Sequence, residues 1–243
     1  MTRAERVGVV VPAAGDARRF GGSGSKALVQ LDGRPLLCWA LEAVEANDRV
    51  AHVVVAANAG RLDAVAELLA AGGFGKVAAL VPGGPTRCAS VAAGLAALPP
   101  GPELVAVHDA CRPLLRPGVI DRLAALLGEL GADGIAPGAA VTDTIRRVVG
   151  PDTSGGIVHR DGLRTLQTPQ VFRREALVEA HRRAAAGQLD GAGALEAASD
   201  AVLLERAGFA VAVVPGEPGN LAIATTLDFE VAEVLAARYR AVR

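Results

Sequence analysis

Three cations gather behind a run of small residues near the start of the chain. The segment reads Val10-Val11-Pro12-Ala13-Ala14-Gly15-Asp16-Ala17-Arg18-Arg19-Phe20, and Lys26 follows six residues later. An apolar run from Val7 to Val11 stops at Pro12, as a buried strand feeding a loop would. Small side chains let backbone N–H groups approach phosphates and base edges closely, and guanidinium and ammonium groups neutralise a polyphosphate. The chemistry indicated is the gripping of a nucleoside triphosphate. Neither common phosphate signature is present. The Walker A pattern closes on Gly-Lys-Ser/Thr and the dinucleotide fingerprint is Gly-x-Gly-x-x-Gly, whereas Gly21-Gly22-Ser23-Gly24-Ser25-Lys26 fits neither spacing. Taken alone, the loop also reads as a solvated glycine-rich connection.

Residues of the same kind follow two later apolar runs. Gly83, Gly84 and Arg87 come after one, with Ser90 in the first helical turn beyond it, and His108-Asp109-Ala110-Cys111-Arg112-Pro113 comes after another. Asp109 suits a metal-bridging carboxylate or an acceptor for ribose and substrate hydroxyls, and also a turn-stabilising residue. Arg112, three residues on, can fork onto a phosphate. His108 is a candidate general base, although a histidine closing a buried strand is more often a hydrogen-bonded structural residue. Lys26 is read as a phosphate cation, against the alternative of an ordinary solvated loop lysine.

These residues need a frame that brings strand ends together. Short Val-rich runs at Val7–Val11, His52–Ala57, Lys76–Val81, Leu104–His108, Gly134–Ala136 and Ala210–Val214 read as strands buried on both faces. Between them lie helical patterns at Leu36–Ala46, Arg61–Ala71, Arg87–Leu98, Pro117–Leu130 and Arg173–Ala186. Pro117 suits a first helical turn and Thr86 an N-cap. Thr225-Thr226-Leu227-Asp228 opens a last helix to about Arg240. Strand–helix alternation predicts an α/β fold, a three-layer, mostly parallel sheet, whose ligands bind beyond the carboxyl ends of the strands. Val141 to Gln167 breaks the rhythm with two alternating segments around Gly150-Pro151-Asp152, which predict a β-hairpin arm. An arm with few core partners packs on another subunit or closes a site. The Ala- and Gly-rich stretch Arg182–Ala198 reads as a mobile connection.

Bulk properties narrow the function. The chain has 243 residues, 51% of them hydrophobic and only 3% aromatic, so its core is aliphatic. A net charge of −1 supplies no general field for nucleic acid or anionic lipid, and no apolar run approaches the ~18 residues of a membrane span. Cys38, Cys88 and Cys111 are odd in number and lack a C-x-x-C pair, which argues against a disulfide framework or zinc site and fits a reducing cytoplasm. Met1 is followed by Thr-Arg-Ala-Glu-Arg rather than an apolar leader, so no signal peptide is expected.

Taken in order, five motifs resemble the 2-C-methyl-D-erythritol 4-phosphate cytidylyltransferase family. They are Pro12-Ala13-Ala14-Gly15 with Arg19 and Lys26, Gly83-Gly84 with Arg87 and Ser90-Val91, Val107 to Pro113, Asp143-Thr144, and Thr168-Pro169-Gln170. Related polyol-phosphate cytidylyltransferases share most of the pattern. The resemblance implies one Rossmann-like nucleotidyltransferase domain over residues 1–243 that uses CTP and Mg²⁺. Ala13, Ala14, Gly15, Gly84, Ser90, Asp109 and Ala110 would hold the nucleotide, and Lys26 and Arg19 would be the catalytic cations at the triphosphate. Asp109, Arg112 and Thr168 would line the polyol-phosphate pocket. Asp109 is a possible ligand for the metal, which the CTP phosphates would mainly hold. Thr144 and Arg160, on the 141–167 arm, would reach the neighbouring subunit's substrate in a homodimer.

Three positions depart from the family pattern. Ala17 stands where glycine is usual, Ala198 replaces a threonine, and Ala222 replaces the lysine of the Asn-Ile-Lys-Val-Thr motif. Losing one charge-assisted contact removes roughly 1.5–3 kcal/mol, on the order of ten- to a hundredfold in rate. The expectation is a slowed cytidylyltransferase for methylerythritol phosphate or another polyol phosphate. The alternative is a paralogue that binds nucleotide and catalyses little. A sugar-phosphate nucleotidylyltransferase using another nucleotide would need a longer glycine-rich loop.

Overall fold

The Val-rich runs become the centre of an eight-stranded sheet in the computed structural model, which describes residues 5–16, 24–189 and 199–241. The chain runs β1 (Val7–Ala13), β2 (Gln30–Leu31), β3 (Arg34–Pro35), α1 (Leu36–Glu45), β4 (Val50–Ala57), α2 (Leu62–Gly72), β5 (Val77–Pro82), α3 (Arg87–Ala97), β6 (Leu104–Val107) and α4 (Val119–Leu130). It continues with β7 (Gly134–Ala140), β8 (Ile145–Val148), β9 (Ser154–Val158), β10 (Arg164–Leu166), β11 (Gln170–Arg173), α5 (Arg174–Ala185), α6 (Asp200–Arg206), β12 (Val211–Pro215) and α7 (Thr226–Ala241). In the sheet β5, β4, β1 and β6 lie parallel, β11 runs antiparallel between β6 and β7, β10 pairs with β7, and β12 joins β7 in parallel.

Alternation along β1 shows why these runs are apolar throughout. Val9 and Val11 face a core formed with Leu37 and Leu41 of α1, Val65 of α2 and Leu123 of α4. Val10 points the other way, into a core with Val91 and Leu95 of α3, Leu177 of α5 and Leu204 of α6. Both faces are covered, so both sets of side chains are buried. On the second face α3 lies directly on β1: a Cβ added to Gly94 would fall 2.4 Å from Val10 Cγ1. A third cluster seats α7, whose Ala232 and Ala236 pack with Leu31, Leu36, Trp39 and Leu114. The Trp39 indole N–H donates to Leu31 O at 2.9 Å.

Four features differ from the sequence reading. β11 lies in the middle of the sheet, with Phe172 fully buried, yet its four residues follow Pro169 without a long apolar run to announce them. β7 extends to Ala140 rather than Ala136. α4 begins at Val119, not Pro117, because Gly118 before it takes a left-handed φ of 80°, a conformation glycine supplies at little cost. α6 follows directly on the Ala-rich stretch that masks it in the sequence, of which residues 190–198 lie outside the described ones. The expected hairpin is present: β8 and β9 form a two-stranded antiparallel sheet of their own. Val148, Val149 and Ile157 on it are more than 60% exposed. Thr86 caps α3, its Oγ1 accepting from Ala89 N at 3.1 Å. Thr225 and Asp228 exchange hydrogen bonds at the start of α7 as a reciprocal cap.

Candidate active site

A cleft of about 310 Å³ opens at the carboxyl ends of β1, β5 and β6. Its walls come from the three post-strand segments: Ala13 to Asp16, Gly84 to Arg87 with Ser90, and Asp109 to Cys111. Lys26 and Ala224 complete it. The segments meet closely because they are small. A Cβ on Gly83 would lie 2.6 Å from Ala14 Cβ and 2.9 Å from Ser90 Oγ, and one on Gly84 would lie 2.4 Å from Ala89 Cβ. Thr86, Arg87 and Ser90 bring the first turn of α3 to the cleft, and such a helix start favours anions. The Ser90 hydroxyl donates to Thr86 O at 2.9 Å. Lys26 is placed by its backbone, its N–H donating to Gly15 O at 3.0 Å beside an Asp16–Ser25 bridge. Arg19 and Ala17 lie outside the described residues, as does Ala198.

Asp109 is held from two sides. Its N–H donates to Thr168 Oγ1 at 3.0 Å, and its Oδ1 accepts from Arg87 Nε at 2.9 Å. Arg87 then reaches inward, Nη1 donating to Asp200 Oδ2 at 2.6 Å, while its buried Nη2 makes no hydrogen bond. Asp200 Oδ1 lies 3.0 Å from His181 Nε2, and His181 Nδ1 lies 3.6 Å from Cys88 Sγ. Burial opposes the charge on Asp200, yet Arg87 and His181 hold its carboxyl below the usual range. Burial likewise opposes the His181 cation, but the hydrogen bonds to Asp200 and Cys88 and the Asp200 charge raise it to about 9. Arg87 keeps its proton more firmly than usual: two carboxylates outweigh its burial.

His108 takes the structural role. It is fully buried and absent from the cleft wall, and burial pushes its pKa down to about 4, beyond what the nearby Asp109 charge restores. Its Nε2 lies 3.1 Å from Arg112 O and its Nδ1 3.3 Å from Thr168 Oγ1. Because Thr168 Oγ1 accepts from Asp109 N, its own proton is free for Nδ1, and Nε2–H donates to Arg112 O. Two residues expected at the polyol phosphate, Thr168 and Arg112, make hydrogen bonds within the chain. Thr168 is buried beneath Asp109 and positions it. Arg112 spends its guanidinium on main-chain carbonyls, Nη1 on Asn220 O at 2.7 Å and Nη2 on Leu166 O at 3.1 Å, so it ties loops together below the rim. Thr144 and Arg160 sit on the arm, where Arg160 donates to Thr142 O, and neither lines this cleft. Ala222 lies in the segment that Ile223 N anchors to Cys111 O at 2.9 Å; Ala224, two residues on, is the one that lines the cleft.

Sequence reasoning missed Asp16, Thr86 as a wall residue, His181 and Asp200. The last carried a signal. Asp200 heads the otherwise apolar run Ala201-Val202-Leu203-Leu204, and a buried carboxylate requires a buried cation.

A small-residue cleft at the strand ends of a mostly parallel three-layer sheet, walled by a lysine, an arginine and a helix start, defines a nucleotide-binding α/β protein of the nucleotidyltransferase kind. The chain belongs to the 2-C-methyl-D-erythritol 4-phosphate cytidylyltransferase (IspD) family, whose profile matches residues 7–238. It is 40% identical over 233 residues to the 2-C-methyl-D-erythritol 4-phosphate cytidylyltransferase of Symbiobacterium thermophilum, covering 94% of this chain and 92% of that one. It is 40% identical over 240 residues to a bifunctional IspD/IspF enzyme of Clavibacter michiganensis, of which it spans 56%. The crystal structure of the cytidylyltransferase from Thermus thermophilus superposes with a TM-score of 0.75 at 34% identity, over 96% of this chain and 99% of that one.

Proposed function

We propose that this chain transfers CMP from CTP to 2-C-methyl-D-erythritol 4-phosphate and releases pyrophosphate, a step of isoprenoid precursor synthesis. The observation that carries this reading is the cleft itself, where Ala13 to Gly15, Lys26, Gly84 to Arg87, Ser90 and Asp109 converge in a chain of this family. Small residues and main-chain groups receive the base and ribose, and the start of α3 and Lys26 face the triphosphate. An oxygen of the substrate phosphate attacks the α-phosphorus in line. The new O–P bond forms as the bond to the β-phosphate oxygen breaks, and pyrophosphate leaves with that electron pair. The attacking phosphate is already an anion, so the site needs no general base, and His108 at about 4 is not poised as one. Catalysis is positioning and charge neutralisation. Lys26 does part of this work, and Arg19, seven residues before it in the sequence, is the second cation assigned to it.

Mg²⁺ fits the donor set. Asp16 and Asp109 are the carboxylates of the cleft wall, and this ion commonly takes one or two carboxylates together with substrate phosphates. Bound there, it would draw charge from the phosphate oxygens. Among the described residues no group of three or more metal-ligating side chains occurs. The β8–β9 arm, apolar at Val148, Val149 and Ile157 and, among the described residues, a two-stranded sheet of its own, supports a homodimer in which Thr144 and Arg160 reach the partner's substrate. Three free cysteines suit the cytoplasm. No described helix is long and apolar enough to cross a membrane.

Pyrophosphate release with CTP and Mg²⁺, run in parallel on methylerythritol phosphate and ribitol phosphate, tests the reading. We expect turnover with the first, a loss of about a hundredfold or more in Lys26→Ala, and a gain of about tenfold in Ala222→Lys. Turnover on ribitol phosphate alone reassigns the substrate. CTP binding without turnover on either favours a binding paralogue or a substrate other than these two.

A further inference from the structure

The cleft does not use everything built against it. Cys88 is the second residue of α3, half-buried, next to Arg87 and absent from the cleft wall. Three helices bring Cys88 Sγ, His181 Nδ1 and, across the ring, Asp200 Oδ1 into line at 3.6 Å and 3.0 Å. A thiol beside a histidine cation that a carboxylate orients is one way a nucleophile is activated. Asp200 is fixed independently by Arg87 at 2.6 Å, so the ring's orientation does not depend on the sulfur. Against its burial, Asp200 and the sulfur hold the ring up to about 9. It is therefore a cation at neutral pH, with Nε2–H donating to Asp200 and Nδ1–H facing Sγ, so it sets a positive charge against a sulfur anion. The first turn of α3 presents positive partial charge to a sulfur anion. Burial pushes the Cys38 and Cys111 thiols up, outweighing the Arg34 hydrogen bond to Cys38 and the Lys26, Arg112 and Arg87 charges near Cys111.

We propose that Cys88 is a reactive thiol, its anion stabilised by the His181 ring that Asp200 orients, which captures small carbon electrophiles and, once capped, weakens nucleotide binding in the adjoining cleft. In the capture step a sulfur lone pair forms the S–C bond while the carbon–leaving-group bond breaks. The leaving group departs with its electrons, and the thiol proton is lost to solvent as the thiolate forms beside the His181 cation. A group on Sγ occupies the space between α3 and α5, one residue from Arg87. Arg87 in turn is the link between Asp200 and Asp109, and Thr86 and Ser90 share its helix start. The effect on nucleotide binding rests on the function proposed above; the reactivity of the thiol does not.

Iodoacetamide is the probe, used on the full chain at substoichiometric dose and neutral pH, with the three cysteines followed by peptide mass spectrometry. Cys88 should be alkylated first, about tenfold faster than free cysteine and than Cys38 or Cys111, and His181→Gln should slow it about tenfold. The labelled chain should bind CTP more weakly. Cys88→Ala should bind CTP as the unsubstituted chain does and no longer respond to the reagent. Preferential labelling of Cys38 or Cys111 overturns the assignment. So does a Cys88 rate no faster than free cysteine, a criterion that holds even where His181→Gln does not fold. Selective Cys88 labelling with unchanged CTP affinity overturns the coupling. Selective labelling in a chain that never binds CTP sinks the nucleotide reading and leaves the thiol assignment standing.

Discussion

His108 and His181 are both buried, at 0% and 7% exposure, and are driven to opposite charge states. His108 closes β6 among a carbonyl and a hydroxyl, and burial takes it down to about 4. His181 projects from α5 onto a carboxylate, and that partner overrides burial to raise it to about 9. At neutral pH the first ring is uncharged and the second is a cation. Depth therefore does not decide the charge of a buried group; its partner does. The two sides of the cleft are built accordingly. One is a frame of neutral hydrogen bonds through Thr168. The other is a ladder of alternating sign, His181 positive, Asp200 negative, Arg87 positive and Asp109 negative.

Breaking the ladder should cost most. Asp200→Asn leaves Arg87 and His181 buried with one carboxylate fewer between them, and a loss of about 3–5 kcal/mol is expected, read as a lower midpoint in urea. The contrast between the rings gives the next effect. A histidine raised from 6.5 to about 9 adds stability that is complete below pH 6.5 and disappears as pH rises through 9, on the order of 3 kcal/mol at most. Melting temperatures should fall across that window, and His181→Gln should flatten the slope relative to the unsubstituted chain. His108 gives the mirror limb. Its lowered value means stability is complete above pH 6.5 and is lost as pH falls from there towards 4. The smallest change is expected on the neutral side. Thr168→Val removes the acceptor for Asp109 N and the donor to His108, about 1–3 kcal/mol, with little dependence on pH between 7 and 10. A Thr168→Val chain whose stability falls between pH 7 and 10 as gently as that of Asp200→Asn, rather than as steeply as that of the unsubstituted chain, would erase the distinction between the two frames.

The post-strand small residues were legible because a parallel sheet places its ligand at strand ends, and Ala13 to Gly15, Gly84, Ser90, Asp109 and Ala110 fell there by the pattern of apolar runs alone. What was not legible depends on contacts distant in sequence. Arg87 meets Asp200 across 113 residues, and no local period announces that pairing. β11 gives no sequence signal because it is central but only four residues long. Arg112 was offered a phosphate because a post-strand arginine is free to take one. Only the fold shows that Asn220 and Leu166 present carbonyls to it.

The packing of Gly94 against Val10 makes the cleft a lever. A methyl at residue 94 would act as a wedge between α3 and the sheet, and a stiff helix turns a lift at its middle into a tilt at its end. Arg87 lies seven residues away, about 10 Å along the axis, and carries one wall of the cleft with it. The geometry around the nucleotide is thus calibrated by the absence of a single carbon atom, at a position that touches neither substrate nor solvent-facing loop.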